Sequence, residues 1–494
     1  MARKPATKPA IDRGLASPGY LDVEDRAADP RGLDPTMALV MASMNKTHVD
    51  GEGNKTFLTA EQAKLRLFGI PLPGLAACYA WDCDVLVPGR MLITVGEAGS
   101  LKSTLTLEMM RWIAEYGGVN SYTCNELKPP TGVLLAICRN DPALARRILM
   151  TQTSSVEEWQ QAFKRWVNTA NAVSGAGTKA NPGTGWTVPW GWAVDSLTGT
   201  GADKSHEKFD KAGQTQMDFS QVANHLNRFC QIVGRHVQDK PIFLFGVNHL
   251  KSKQDPRTNL TMRHVPGGSS ANFLESSEIE LKKISEFRHI DHSGVRIRLK
   301  MHKNCFGESG HAIMVNCLWR KVRDAAGSIS QDTWWDWPAA TVELLLSFEN
   351  QPSGKGKFKQ LQEICHIRQV RAGMVCSNTL GIPKEKPISY SAAGRMIEES
   401  RQLYTDLRAA LGIFSFRCWR PGITFEDCLN NVEDTYDSFD ARRAYHIVDN
   451  EEMLNATTAD GAASFNYGPG VGGEVDDDSA PAPQEDDLDA LFAP

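Results

Sequence analysis

The sequence predicts an α/β fold whose mostly parallel central sheet is flanked by helices and finished by antiparallel strands. Short apolar runs of strand length alternate with helix-like segments over much of the chain, as in parallel sheets. One of these runs, Met91–Val95, passes through a Gly-rich turn directly into an amphipathic helix. Further along, Val295–Met301 alternates apolar and basic residues, which is typical of a strand with one exposed face.

The composition is that of a folded protein of two or three domains, with 494 residues, 41% hydrophobic and 23% charged. No apolar run reaches the roughly 18 residues of a membrane helix, and the N-terminus has no apolar signal region. We therefore expect a cytoplasmic protein without a membrane partner. The eleven cysteines follow no zinc or disulfide spacing, and the net charge of −5 argues against a uniformly basic nucleic-acid coat.

Shifts in composition predict five segments. The ends are expected to be disordered, because they are rich in Pro, Gly and charge; the last one holds eight acidic residues and no basic residue between Glu474 and Asp489. The segments are a basic tail (1–34), a short helical segment that is a candidate for oligomerisation (35–70), the core (71–330), a smaller mixed and largely helical domain (331–454) and the acidic tail (455–494).

Within the core, run length and cap residues predict the remaining elements in order. Buried strands are predicted at Val133–Cys138, Gly191–Ser196 and Ile242–Val247, and the finishing strands near Ile279–Ile284, Val295–Met301 and Ala312–Leu318. Helices are predicted to begin at Asp141-Pro142 and at Ser154 or Ser155, and another to span about Phe219–His236. Lys251–Gly268 is predicted to be a structureless loop, and Gln351–Lys359 a linker.

The Gly-rich turn nearly matches the phosphate-binding pattern G-x-x-x-x-G-K-[ST]. Gly96, Lys102 and Ser103 fit, whereas Leu101 replaces the second glycine. In this motif backbone N–H groups and the helix N-terminus meet the phosphates, the lysine reaches the outer ones, and the hydroxyl ligates Mg²⁺. A structural turn is the alternative. The predicted nucleotide-binding residues are Gly96, Glu97, Ala98, Gly99, Ser100, Leu101, Lys102, Ser103 and Thr104.

Two later strands end in polar residues. Asp195 follows the turn by roughly one hundred residues, and in phosphate-binding-loop NTPases such an acid contacts Mg²⁺ beside the Ser/Thr of the loop. Ser103 and Asp195 are therefore the predicted metal ligands. Asn248 and His249 end the next strand, where they are candidates to sense a γ-phosphate. Plain turn capping is the alternative for all of these strand-end residues.

In order and spacing these motifs resemble the RecA family from about Leu72 to Trp319. The matching stretches are Pro88–Glu108, Asp141–Arg147, Val194–Ser196, Asn248–Leu250, Pro266–Phe273 and Lys303-Asn304. The bulky Leu101 is similar to phage-encoded RecA-like recombinases. The resemblance implies a DNA-dependent ATPase that uses ATP and Mg²⁺, forms a homo-oligomeric helical filament on single-stranded DNA, and pairs it with homologous double-stranded DNA in phage recombination, repair or replication.

On this resemblance two loops face the DNA, the first near Thr198–Gln214 and the second at Lys251–Gly268. A loop as long as the second is uncommon unless it is functional, and its basic residues suit phosphate contact. A solvated surface loop is the alternative. The predicted DNA-binding residues are Lys204, Lys208, Lys211, Lys251, Lys253, Arg257, Arg263, Gly267 and Gly268.

Departures from the family pattern fall on the chemistry. Arg139-Asn140 stands where the family has its catalytic Glu, so Asp141 is the nearest carboxylate to orient the attacking water. His249 replaces a Gln, and Cys305 replaces the second Lys of the interface element. Slow hydrolysis is therefore expected. The predicted catalytic residues are Lys102, Asp141, Asp195, His249 and Lys303, the last acting across a subunit interface.

Two other functions remain open. A RecA-core replicative helicase would need an N-terminal domain larger than the roughly 70 residues before the core. A non-catalytic filament or accessory protein that binds ATP or DNA structurally stays open because the catalytic carboxylate is doubtful. The acidic tail resembles the family's regulatory tail, which implies that it shields the DNA groove or recruits a single-strand-binding or recombination-mediator protein. A tail that only solubilises the chain is the alternative.

Overall fold

The computed structural model describes residues 68–125, 130–174, 186–197, 224–226, 228–229, 233, 236–237, 240–254, 261–264, 275–289, 292–323, 329–350 and 355–418. For 251–254 and 261–264 it describes the backbone alone. The predicted segments before residue 68 and after residue 418 lie outside these ranges. Most of the predicted helix at 219–236 also lies outside them.

Most of the strands are short, and the three between Glu275 and Arg323 are longer, with 12 to 14 residues each. They are β1 Phe68–Pro71, β2 Val85–Leu86, β3 Met91–Gly96, β4 Val119–Cys124, β5 Ile148–Gln152, β6 Trp190–Asp195, β7 Ile242–His249, β8 Lys251–Gln254, β9 Thr261–His264, β10 Glu275–Arg288, β11 Ser293–Asn304, β12 Ala312–Arg323, β13 Ile329–Trp335, β14 Ile367–Arg371, β15 Met374–Ser377, β16 Ile388–Ser389 and β17 Arg417–Cys418.

The helices alternate with these strands and dominate the chain after β13. They are α1 Leu75–Trp81, α2 Lys102–Glu115, α3 Thr131–Ile137, α4 Pro142–Ala145, α5 Val156–Ser174, α6 Trp337–Ser347, α7 Lys355–Cys365, α8 Tyr390–Glu399 and α9 Arg401–Leu411, with a short 3₁₀ turn at Phe348–Asn350. Asp141 caps α4 and the Ser155 hydroxyl accepts the Glu158 N–H at the start of α5, so both predicted helix starts are confirmed.

Nine of the described strands form one sheet in the order β13-β12-β11-β10-β3-β7-β6-β4-β5. The strands from β10 to β5 in this order pair in parallel, and β10 to β13 pair antiparallel. The prediction of a mostly parallel α/β sheet finished by antiparallel strands is therefore confirmed. The carboxyl ends of β3, β7, β6 and β4 lie side by side along one edge of this sheet.

An apolar core lies on each face of the sheet and holds the parallel strands from both sides. On one face α2 packs with α1, α3 and the helices after β13. On the other face Trp159 and Phe163 of α5 pack against Trp192 of β6 and Phe229. Because both faces are covered, β3 is buried along its whole length, and its end is fixed where it meets α2.

Three sequence predictions of local structure are wrong. Val133–Cys138 belongs to helix α3 and its C-cap, with Leu134 and Ile137 buried and Leu135 about half exposed, as on an amphipathic helix. The predicted loop at Lys251–Gly268 contains the antiparallel hairpin β8–β9. The second half of the predicted linker Gln351–Lys359 is the first turn of α7.

The region after β13 packs directly on the core. Trp337, at the start of α6, contacts Trp112 of α2 edge to face, with ring centroids 6.0 Å apart. The buried carboxylate of Asp84 accepts hydrogen bonds from Arg408 Nη1 (2.9 Å), Ser415 Oγ (2.8 Å) and the Phe416 N–H (2.8 Å). The segment that follows α9 is thereby tied to the residue that precedes β2.

Candidate functional site

The turn between β3 and α2 connects a buried strand to a buried helix. Gly96 ends β3 where a side chain does not fit, because a Cβ there would come within 2.5 Å of the Leu281 carbonyl oxygen and would press on Ser100 Oγ. Ser100 is buried, and its hydroxyl donates to the Glu97 carbonyl oxygen at 2.8 Å. The base of the turn is therefore fixed, while its apex at 97–99 is exposed.

Leu101 occupies the motif position that normally holds glycine. Its φ of 64° and ψ of 29° lie in the left-handed region, which glycine adopts freely and which costs another residue about 1–2 kcal/mol. The leucine side chain is half-buried and packs against the main apolar core, and this contact offsets part of the strain. The substitution that weakens the sequence motif thus leaves the backbone in a glycine-like conformation.

The N-terminus of α2 receives no side-chain cap from the described residues. The same holds for α1 and α3, whereas Asp141, Asp336, Ser389 and Ser400 each accept a backbone N–H at the start of their own helices. The first N–H groups of a helix and its positive dipole end together favour a bound anion. The start of α2 is therefore suited to a phosphate or a carboxylate.

Lys102 is the first residue of α2, and its side chain is buried. The Nζ atom donates a hydrogen bond of 2.8 Å to the Glu97 carbonyl oxygen, so the ammonium group reaches back across the turn. A buried cation needs polar partners, and an anionic ligand is a stronger one than a carbonyl dipole. The turn and this cation can bind one anionic group together.

Three elements meet at the carboxylate of Asp195, the last residue of β6. The Ser103 hydroxyl of α2 donates to Oδ2 at 2.5 Å, and the Tyr122 hydroxyl of β4 donates to the same oxygen. Burial raises the pKa of Tyr122 well above its usual value, and the negative charge of Asp195 raises it further, so the phenol keeps its proton. Asp195 Oδ1 is buried and accepts no hydrogen bond from the described part of the chain.

Asn125 fixes the backbone just beyond Asp195. Its N–H donates to the Asp195 carbonyl oxygen at 2.8 Å. Its side-chain amide donates to the Ser196 carbonyl oxygen and accepts the Ser196 N–H, both at 2.5 Å, and the Asp195–Ser196 peptide bond is cis. The carboxyl ends of β4 and β6 are therefore joined by both the backbone and a side chain.

Strand β7 brings two more of the predicted residues to this edge. Asn248 pairs with Val95 and His249 with Gly96, and the Leu250 N–H donates to the Gly96 carbonyl oxygen at 3.0 Å. Asn248 is fully buried, and its Oδ1 accepts the His249 N–H at 2.9 Å. The turn, Asp195 and His249 thus lie together at the carboxyl edge of the sheet.

The structure does not bring Asp141 or Lys303 to this edge. The Asp141 carboxylate caps α4 on the side where β5 begins, opposite to the side where β6 ends. Lys303 pairs with Glu278, which is level with Ile93 in the middle of β3. A contact of Lys303 with a neighbouring subunit stays a prediction.

The predicted DNA-binding residues are described only in part. For some the backbone alone is described, namely Lys251 and Lys253 on β8 and Arg263 on β9. The others lie outside the described residues, namely Lys204, Lys208, Lys211, Arg257, Gly267 and Gly268.

Sequence reasoning missed Tyr122 and Asn125 because it placed the second strand at Val133–Cys138. The strand β4 contains Asn120, Ser121 and Thr123, and its polarity hides it from a search for apolar runs. A signal that could have located it is the Gly117-Gly118 pair that follows α2. The aromatic and β-branched residues of 119–124 add to this signal.

Comparison with known proteins adds no identity to this geometry. No family model matches the chain, and no curated protein matches it. Among the described residues, no helix is both long and apolar enough to cross a bilayer. The site must therefore be interpreted from its own chemistry.

The two glycines of the turn should differ in their tolerance of a methyl group. Gly96→Ala forces the Leu281 backbone or Ser100 to move, and we expect a loss of about 2 kcal/mol in the free energy of unfolding. Gly99 has a φ of +74° with open space around it, so Gly99→Ala should cost only about 1 kcal/mol of backbone strain. Urea unfolding measures both values, and a Gly99→Ala loss equal to or larger than that of Gly96→Ala would contradict the packing argument.

Proposed function

We propose that the protein is an ATP-dependent DNA recombinase that assembles on single-stranded DNA and pairs it with a homologous duplex. The observation that carries the ATPase part is the convergence of Lys102, Ser103 and Asp195 at one uncapped helix N-terminus. A phosphate-binding loop needs a cation, a hydroxyl and a carboxylate in this arrangement. The DNA part rests on the resemblance to the RecA family in the order of the motifs.

On this proposal the backbone of residues 96–101 and the first turn of α2 bind the β- and γ-phosphates, and Lys102 contacts their oxygens. Leu101 does not disable the turn, because its backbone already has the glycine-like conformation. His249, next to Gly96, is close enough to the turn to sense whether the γ-phosphate is present.

The residues at the start of α2 fit Mg²⁺. Ser103 Oγ and the buried Asp195 Oδ1 are hard oxygen donors, and Oδ1 has no partner among the described residues. The described residues contain no group of three His, Cys, Asp or Glu side chains that could hold a metal, so the remaining ligands would be phosphate oxygens and water. When bound, the ion neutralises charge on the β- and γ-phosphates.

The carboxylate that orients the attacking water is better sought after β4 than at Asp141. Cys124 pairs with Asp195, so the chain leaves β4 at the edge where Asp195 lies. Glu126 follows Cys124 by two residues in the sequence and is the first carboxylate after that strand. We assign the water-orienting role to Glu126.

The β8–β9 hairpin is the proposed link between nucleotide and DNA. It begins at Lys251, two residues after His249 contacts the first residue of the turn. Lys251, Lys253 and Arg263 lie on its two strands and supply positive charge for a phosphate backbone. A change at the γ-phosphate could thus reach the DNA-binding residues through a short stretch of backbone.

Substitution of the lysine tests the ATPase proposal. Lys102→Ala should weaken ATP binding about 100-fold, because the buried cation makes a charge-assisted contact with phosphate, and single-stranded DNA should no longer stimulate hydrolysis. The exposed Lys321→Ala on β12 is the matched control and should change neither value. ATP affinity measured by anisotropy and hydrolysis measured with and without DNA give the answer; equal affinities for Lys102→Ala and wild type would refute a phosphate-binding loop.

Two carboxylate variants locate the group that orients water. Glu126→Gln should lower the ATP hydrolysis rate about 100-fold or more and keep ATP binding, since only water activation is lost. Asp141→Asn should keep the rate, because asparagine caps a helix as well as aspartate does. Single-turnover hydrolysis compares them, and the reverse result would return the role to Asp141.

Charge reversal in the hairpin tests the DNA interface. The double variant Lys251→Glu/Lys253→Glu should weaken single-stranded DNA binding and lower the slope of log affinity against log salt by about 1.4 for two lost phosphate contacts. The control Lys321→Glu/Arg323→Glu on β12 should leave the slope as in wild type. Electron micrographs with DNA and ATP then distinguish filaments from the closed rings of a helicase. An unchanged slope in the hairpin variant would rule out these two lysines.

A further inference from the structure

We propose that Tyr122 is a positioning residue that holds the Asp195 carboxylate for Mg²⁺. The inference rests on the proposed ATPase function and adds to it a residue of β4 that the motifs do not contain. Its basis is that the Tyr122 and Ser103 hydroxyls both donate to Asp195 Oδ2, while Oδ1 accepts nothing from the described residues.

The two hydroxyl donors have different freedom. The Ser103 hydroxyl has one proton and two lone pairs, so it can ligate a cation through a lone pair while its O–H still donates to Oδ2. Tyr122 comes from another element, β4, and its fully buried side chain has no room to move when a cation binds. Rotation of the carboxylate would break both bonds at once. The plane of the carboxylate is therefore set by Tyr122, and Oδ1 stays directed away from the two donors.

The tyrosine hydroxyl is not needed to fill space. The ring is fully buried in the apolar core beneath α2, where a phenylalanine would occupy the same volume without a polar atom to satisfy. Burying a hydroxyl is unfavourable unless it is hydrogen-bonded, and here its partner is the carboxylate at the proposed metal site. Packing does not require the Tyr122 hydroxyl. Its hydrogen bond to the Asp195 carboxylate therefore indicates a role in orienting that carboxylate.

The matched pair of variants is Tyr122→Phe and Tyr404→Phe. Tyr404 is also buried, and its hydroxyl makes a hydrogen bond with Cys78 Sγ at 3.4 Å, in the region after β13. Both substitutions remove one buried hydroxyl, so a general loss of stability appears in both. Only the first removes a contact to Asp195.

The experiment measures the affinity of the full chain for fluorescently labelled ATP, first across a Mg²⁺ titration and then in EDTA. Thermal unfolding without nucleotide is measured for the same variants. Tyr122→Phe should raise the midpoint of the Mg²⁺ titration about 10-fold, as loss of a group that orients a metal ligand does, and leave the affinity in EDTA as in wild type. Tyr404→Phe should leave the midpoint unchanged. A thermal shift in Tyr122→Phe without a change in midpoint would overturn the inference.

A double-mutant cycle adds a second test. In an Asp195→Asn background, Tyr122→Phe should have no further effect on the Mg²⁺ midpoint, whereas independent effects would overturn the positioning role. The same background serves if Tyr122→Phe alone unfolds, because the buried charge that needs the hydroxyl is then absent.

If wild type binds ATP without any dependence on Mg²⁺ or Lys102, the ATPase proposal itself fails. If wild type shows both dependences and Tyr122→Phe matches it, only the role of Tyr122 fails.

Discussion

The buried charge of Asp195 is the constraint on which the carboxyl edge of the sheet depends. An ionised carboxylate in a protein interior loses several kcal/mol of hydration and must recover it from donors. The donors here are the hydroxyls of Ser103 on α2 and Tyr122 on β4. Asn125 fixes the next residue through hydrogen bonds to the N–H and the carbonyl oxygen of Ser196. A shift of either neighbour by one residue would leave the charge unsatisfied. The charge therefore fixes the register of these strands, which apolar packing alone would determine less specifically.

Burial on both faces of the sheet makes this edge rigid enough for chemistry. Strand β3 is enclosed along its length, and Gly96 permits Ser100 and the Leu281 carbonyl to pack against the point where the strand ends. The strained backbone of Leu101 belongs to the same arrangement, because its side chain packs on the core that α2 also contacts. Strain of this kind persists only where the surrounding packing determines the conformation. The turn is therefore held in this conformation before any ligand binds.

What the sequence could predict was local. The caps at Asp141 and Ser155, the turn at Gly96 and the strand ends at Asp195 and His249 depend on a few adjacent residues, and the structure has them where they were expected. The polar strand β4 escapes a search for apolar runs, and the contact that lets Asn120 be buried there, its amide N–H donating to the Met110 carbonyl oxygen of α2, exists only in the fold. The prediction of a strand at Val133–Cys138 is wrong because a short apolar run does not distinguish a buried strand from a helix with one buried face.

That one misplaced strand also changed the interpretation of the chemistry. With the second strand at 133–138, the chain has Arg139-Asn140 where a carboxylate is needed, and slow hydrolysis follows. With β4 ending at Cys124, beside Asp195, the proposed water-orienting carboxylate is Glu126 instead. The main reason to predict slow hydrolysis then no longer applies. On the proposed function, the departures that remain, His249 and Cys305, concern the sensing of the γ-phosphate and the contact between subunits, not the activation of water. On the proposed function, the unusual features of this protein therefore concern how hydrolysis is regulated within an assembly.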